Sequence, residues 1–367
     1  MGVGVGVQYI KIFLVVFVLF STAITFANNA TWMSQIPNQR IMNQLIIPGT
    51  HDSGTYGIQP QSKFSLSPDD PLPLWIEAIS NILPISIVRP IVAGWSKTQF
   101  DSITDQLNNG IRYLDFRVCL YQSHFYLCHA LLSIRLREAL QQIHHFIAAN
   151  PSEIILLDIN HVYNVMNSAE ETQLVQLIQY YLGNNEIPNT YHVTDTIGTL
   201  RASHKNVIIL MDAQQSVANP FWPESTINSP WPNASTINDL KNTLDIEMSL
   251  RDKIYQSANN FFVLQVIQTE NTDNIINGII NPTHYPNTIA DFEIPVNNAL
   301  IAWLNGYIAE YGSNPINIVI QDWYSNHSEL VSLAEQYDTQ FPPQKNNADN
   351  ADTQSKLAAL KKWYLHK

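Results

Sequence analysis

Strand-length apolar runs alternate with helix-length amphipathic stretches along most of this chain, and that rhythm admits few folds. The runs span residues 45–47, 113–118, 125–128, 154–159, 207–211, 261–266 and 316–320. Between them, residues 134–149, 169–182 and 299–311 carry apolar side chains at helical spacing. Strand followed by helix, repeated, predicts a parallel sheet with crossover helices. Repetition over a stretch this long suits one domain built as a distorted (β/α)8 TIM barrel. The gap between the second and third runs is too short for a helix, so irregularity is expected there. A doubly wound open sheet competes, but no Gly-rich dinucleotide turn follows the first run.

Composition narrows the function. Apolar residues make up 45% of the 367 positions, enough for a large core. The formal net charge is −12, and no local basic patch is visible. Nucleic-acid binding is therefore excluded. Simple electrostatic attraction to anionic membranes is disfavoured as well.

Residues 1–27 contain one base, Lys11, and no acid, followed by a short apolar run and small residues Thr25 and Ala27 before Asn28. This pattern predicts a secretory signal peptide; an uncleaved anchor is the alternative. Residues 28–340 are expected to form the barrel. Residues 341–367 read as a polar linker and a short C-terminal helix. Cys119 and Cys128 face each other if a hairpin turn centres on Ser123 and His124; the residues leave open a disulfide or two free thiols. Residues 67–95 break the rhythm with a Pro-interrupted apolar insertion. It reads as a lid packed on the barrel or as a segment dipping into a lipid interface.

In a barrel, chemistry gathers at the C-terminal ends of the strands. Here those ends carry His51 and Asp52, Asp115 and Arg117, His129, and Asp322. Two imidazoles, a guanidinium and carboxylates suit phosphodiester chemistry. One His removes a proton from an attacking hydroxyl and the other protonates the leaving oxygen, while Arg neutralises charge building on phosphorus. Taken alone, Arg117 would simply pair with Asp115, two residues away on the same strand face.

The stretches carrying these residues are IPGTHDSGTYGI from Ile47, ITDQLNNGIRYLDFRV from Ile103, FYLCHALLS from Phe125, PSEIILLDINHVYN from Pro151, SPWPNAST from Ser229 and NPINIVIQDWY from Asn314. Together they resemble the phosphatidylinositol-specific phospholipase C X-domain proteins, chiefly the short, single-domain, bacterial-type metal-independent kind. The resemblance implies a distorted TIM barrel. It also implies cleavage of an inositol phospholipid to diacylglycerol and inositol 1,2-cyclic phosphate at a membrane or micelle surface. By that likeness His51 is the general base, His129 the general acid and Arg117 the phosphate ligand. Asp52 assists, and Asp322 orients His51. Asp115, Asp158, Asn160, Asp212 and Gln265 lie at suitable strand ends to bind substrate. No cofactor is expected: Arg117 stands where calcium-dependent relatives place an acidic residue, and Asp115 beside it makes a poor calcium cage.

Ala130 departs from the family pattern, which has Gly after the third-strand His, and is expected to narrow the floor of the site. His161 reads as a residue behind the site or in the packing, and His144 and His145 as structural. Two other functions compete. One is a metal-dependent glycerophosphodiesterase, which needs a carboxylate set for a divalent ion. The other is a lipid-binding barrel without turnover.

Overall fold

The computed structural model describes residues 29–65, 76, 79–215, 217–326 and 329–340. The signal-peptide segment, the C-terminal tail and helix, and part of the 67–95 insertion lie outside the described residues.

Among the described residues nine strands form the sheet: β1 (Ile47–Thr50), β2 (Tyr113–Tyr121), β3 (His124–His129), β4 (Leu131–Arg135), β5 (Ile155–Tyr163), β6 (Val207–Leu210), β7 (Ile227–Asn228), β8 (Phe261–Gln265) and β9 (Ile318–Gln321). The order β7-β8-β9-β1-β2-β5-β6 runs parallel throughout. The β3-β4 hairpin attaches antiparallel to the extended end of β2. The expected irregularity therefore lies where the chain lacked room for a helix. A second irregularity lies between β6 and β7, where Leu210 bridges to Trp222 in the segment leading to β7. The result is a single-domain α/β barrel, distorted as the sequence predicts.

The helices are α1 (Ile85–Ser96), α2 (Ile103–Asn108), α3 (Leu136–Ala149), α4 (Ser168–Leu182), α5 (Ile197–Ala202), α6 (Ile237–Ile254), α7 (Thr272–Ile280), α8 (Ile289–Tyr311) and α9 (Glu329–Asp338). Most open on a Ser, Thr or Asn whose side chain accepts a first-turn N–H: Ser102, Asn167, Thr196, Thr236, Asn271 and Thr288. Each such cap stabilises its helix by about 1 kcal/mol. Helix α8 starts earlier than its apolar spacing predicts, because the Thr288 cap opens it at Ile289 and it continues through Pro295.

Alternation along the strands sorts side chains into two cores. Tyr113, Leu156 and Ile208 join one apolar cluster; Leu114, Phe116, Leu157 and Ile209 join another beneath α3 and α4. Gly49 on β1 is required by close approach, since a Cβ there would lie 2.8 Å from Ile320 and 2.9 Å from Tyr113.

Buried ion pairs close the end of the barrel opposite the site. Arg112 Nη2 lies 2.7 Å from Glu153 Oε2, with both side chains fully buried. Glu153 also accepts the backbone N–H groups of Met33 and Ser34, tying down the N-terminal segment. Asp338 on α9 pairs with Arg40 and accepts the N–H of Ile46. No helix among the described residues is long and apolar enough to cross a membrane.

Candidate active site

β1 ends at Thr50, and the chain turns at once so that His51 and Asp52 enter the barrel mouth. Asp52 holds a left-handed φ of 42°, a costly conformation for a residue with a side chain. Buried amides and hydroxyls hold the turn: Gln99 donates to the carbonyls of His51 and Gln321, and Asp115 Oδ2 accepts the N–H of Asp52.

His51 is wedged between two carboxylates. Its Nδ1 is 2.9 Å from Asp322 Oδ1, and its Nε2 is 3.4 Å from Asp52 Oδ2. Burial by itself would depress its pKa, but the charges of Asp52 and Asp322 and the hydrogen bond to Asp322 outweigh it and raise the value to about 9. The Asp322 bond places a proton on Nδ1 and turns the Nε2 lone pair toward the site, where Arg117 Nη2 lies 3.2 Å away.

Arg117 does not pair with Asp115. Its Nε is 2.9 Å from Asp52 Oδ1. The turn after β1 carries Asp52 across the mouth, whereas Asp115 is held by Asp52 N–H and by Asn160 Nδ2, 2.7 Å from Asp115 Oδ1. Burial pushes Asp52 upward, but Arg117 and the histidines around it reverse the direction and hold it below the ordinary aspartate value. Asp115 is raised to about 6 by burial and by the charge of Asp52.

His129 at the end of β3 completes the cluster. Its ring centroid is 6.3 Å from that of His51. Its Nδ1 donates to the Ser96 carbonyl at the end of α1, 2.9 Å away, and lies 3.6 Å from Asp52 Oδ2. Ala130 follows with φ of 53°, the left-handed region that explains a glycine in the family pattern. Its methyl packs in the apolar cluster of Trp95, Leu131 and α1.

The remaining candidates divide. Buried Asp158 accepts from the Tyr113 hydroxyl and shares a hydrogen bond with Glu224; burial and neighbouring carboxylates hold Asp158 well above the ordinary range. A bulge in the β2–β5 ladder, between the pairs Asp115–Asp158 and Arg117–His161, directs Asn160 to Asp115. His161 is exposed and bonded to Asn160 Oδ1, behind the site. Asp212 is at the exposed rim, accepting the N–H of Glu224. Gln265 does not present its amide nitrogen to a ligand: that group donates to Ser229 and so anchors the following loop. His144 bonds to the Tyr181 carbonyl on the outer helices, as a structural residue would.

Three residues missed in the sequence belong to the site. Trp231 tilts over His51 with ring centroids 5.5 Å apart. Glu224, raised to about 7 chiefly by burial, partners Asp158. Glu270, raised by burial, feels the charge of His129. Trp231 lies in a quoted stretch and was within reach of sequence reading; the loop glutamates carry no local signal.

Cys119 and Cys128 are joined by a disulfide. The expected face-to-face register is corrected. The turn falls at Gln122 and Ser123, so Cys119 opposes Tyr126 and the bonded pair is diagonal on one face of the hairpin, with Cα atoms 6.1 Å apart.

Comparison with known proteins gives the family and the fold. The PI-PLC X family model, PI-PLC X 1, matches residues 91–220. The mouse (Mus musculus) PI-PLC X domain-containing protein 2 is 30% identical over 303 residues, covering 80% of this chain and 84% of that protein. The chain belongs to the PI-PLC X domain family. The chain is also similar to the variant-surface-glycoprotein phospholipase C of Trypanosoma cruzi, 26% identical over 322 residues and 83% of each chain. The solved phosphatidylinositol-specific phospholipase C of Listeria monocytogenes covers 86% of this PI-PLC X chain and all of its own, with a TM-score of 0.60 at 17% identity, a likeness of fold.

Proposed function

We propose that this protein cleaves phosphatidylinositol, or a closely related inositol phospholipid, between phosphorus and the glycerol oxygen. One observation carries the reading: His51 and His129 flank an Arg117–Asp52 pair with ring centroids 6.3 Å apart. His51 Nε2 takes the proton of the inositol 2-hydroxyl as that oxygen bonds to phosphorus. The phosphorus–glycerol oxygen bond breaks, and His129, protonated at Nε2, gives its proton to the leaving diacylglycerol oxygen. The first products are diacylglycerol and inositol 1,2-cyclic phosphate. Arg117 neutralises the phosphorane; Asp52 aligns Arg117 and both imidazoles. The relationship to phospholipases C supports this reading.

The hydroxyl-rich headgroup suits the acceptors beyond Arg117. Asp115, Asn160 and the Asp158–Glu224 pair offer carboxyl and amide oxygens to ring hydroxyls, with Trp231 as an apolar face. A cluster this acidic disfavours inositol rings carrying additional phosphates.

Metal independence is part of the proposal. His51, Asp52 and Asp115 bring ligand atoms within 4.8 Å of one another. The Arg117 guanidinium lies 2.9 Å from Asp52 and 3.2 Å from His51, in the place a cation would take. This counts against the glycerophosphodiesterase alternative.

Lipid contact is assigned to the start of α1 and the turn before it, where Ile82, Ile85 and Ile87 are 80%, 54% and 49% exposed. The other end of α1 holds His129 through Ser96, so the same helix serves interface and acid. An exported location fits the disulfide, which persists in oxidising compartments.

Phosphorus NMR of the protein with phosphatidylinositol micelles and excess EDTA tests the reading. A cyclic phosphate resonance that is absent in His51→Ala and His129→Ala supports it. Folded protein giving no product, or product only after a divalent ion is restored, overturns it.

A further inference from the structure

We propose that a cavity on the outer flank of the barrel, between the β2–β3 turn and helices α3 and α4, is a second anion site that takes a phosphate monoester. The cavity measures about 240 Å³ and is lined by Arg135, Arg137, Ser123, His124 and Gln173 above an apolar wall that includes Leu177.

The chain has eight arginines, and six have work elsewhere. Arg40, Arg112 and Arg117 pair with Asp338, Glu153 and Asp52. Arg89, Arg201 and Arg251 donate to the carbonyls of Ser62, Ile36 and Asn43. Among the described residues, only Arg135 and Arg137 have neither an ion pair nor a hydrogen bond from the guanidinium, and both line this one cavity. Arg135 lies over the Tyr126 ring, 5.8 Å from its centroid, which leaves its N–H fork unused.

The ring contact of Arg135 leaves the charge of both side chains without a counterion. In a chain of net charge −12, two cations without a salt bridge line one cavity at the start of α3, against its dipole and with Glu138 as the one acid of that first turn. An anion between them removes both penalties. The other lining groups suit the same ligand. His124 commits Nδ1 to the Gln122 carbonyl, 2.8 Å away, so Nε2 is its open nitrogen. Ser123 occupies a turn position with φ of 61° that favours glycine, yet carries a hydroxyl there. Guanidinium pairs match phosphate oxygens by bidentate hydrogen bonding.

The register places the site at the catalytic end of the barrel. Arg135 pairs with Tyr126, which stands opposite Cys119, two residues beyond Arg117 toward the hairpin tip. A phosphate there belongs either to an anionic lipid headgroup at the surface the active site faces, or to a soluble phosphate monoester.

The test titrates inorganic phosphate and short-chain phosphatidate into isotope-labelled protein while following the Ser123 amide and the His124 ring by NMR. It is run on the wild type, on Arg117→Gln and on the double variant Arg135→Gln/Arg137→Gln. Saturable shifts are expected in the first two, with affinity reduced about tenfold or more in the double variant. The double variant should melt within about a few degrees of the wild type, since among the described residues the one ion pair, hydrogen bond or ring contact of either side chain with another element is that of Arg135 with the Tyr126 ring. If it does not, Arg135→Lys/Arg137→Lys keeps the charge and should retain weakened binding. Flotation with phosphatidylcholine vesicles doped with phosphatidate separates the sources: a lipid ligand makes flotation depend on the two arginines, and a soluble ligand leaves it unchanged. Absence of saturable shifts, or shifts that persist in the double variant, overturns the proposal. The result is independent of turnover, so failure of the lyase reading would be seen separately.

Discussion

His51 Nδ1 lies 2.9 Å from Asp322 Oδ1, although the two residues are 271 positions apart. β1 and β9 are paired in parallel, so their C-terminal ends arrive together and the base meets its orienting carboxylate directly. The bond sets the tautomer, and against the effect of burial the charge of Asp52, then the charge and hydrogen bond of Asp322, raise the His51 pKa to about 9. Because the base works neutral, kcat/KM should rise with pH through neutrality toward that value. Asp322→Asn should lower the maximal rate by about 10²–10⁴. It should also move the rising limb to lower pH, because a carboxylate that favours the imidazolium has gone. A pH–rate profile with a histidine NMR titration checks both; an unmoved limb would dissociate Asp322 from His51. The sign for stability is the reverse. A raised folded pKa stabilises the fold below about pH 6.5, and that contribution disappears as the pH passes about 9.

Arg117→Lys keeps the charge but loses the fork that reaches Asp52 and His51 together. Cleavage should fall about 10²-fold or more with little change in melting temperature. A variant with near wild-type turnover would show that a point charge suffices at phosphorus.

Glu153→Ala leaves Arg112 charged and buried while freeing Met33 and Ser34 N–H. Urea unfolding should show a loss of about 3–5 kcal/mol. The active-site geometry lies at the other end of the barrel, so residual folded protein should keep its specific activity.

Replacing both cysteines by serine should cost about 2–3 kcal/mol, the loop-closure value for so short a separation. Activity should fall more than stability alone explains, since Cys128 adjoins His129 and Cys119 follows Arg117 by two positions on β2. Assays well below the melting temperature, with and without reductant, separate the two effects.

Ala130→Gly should stabilise the protein by about 0.5–1 kcal/mol by relieving the left-handed strain. A lower melting temperature would mean that the methyl's packing against Trp95 and Leu131 outweighs the strain.

Sequence by itself determined the strand–helix rhythm, the distorted barrel and the residue types at the strand ends. His51, Arg117 and Asp322 could be singled out because strand ends in a parallel barrel share one face; His129 ends the antiparallel β3 and reaches the mouth because that hairpin folds back from the extended end of β2. Only the tertiary structure decided their partners. Arg117 answers to Asp52 rather than to its strand neighbour Asp115, because the turn after β1 carries Asp52 across the mouth. The hairpin register slipped relative to expectation because Gln122 and Ser123, not Ser123 and His124, take the turn. Trp231, Glu224 and Glu270 entered from loops, where no periodicity marks a residue and only the closing of the barrel brings it to the site. Local pattern records which face a side chain takes; which group it meets there depends on register between segments hundreds of residues apart.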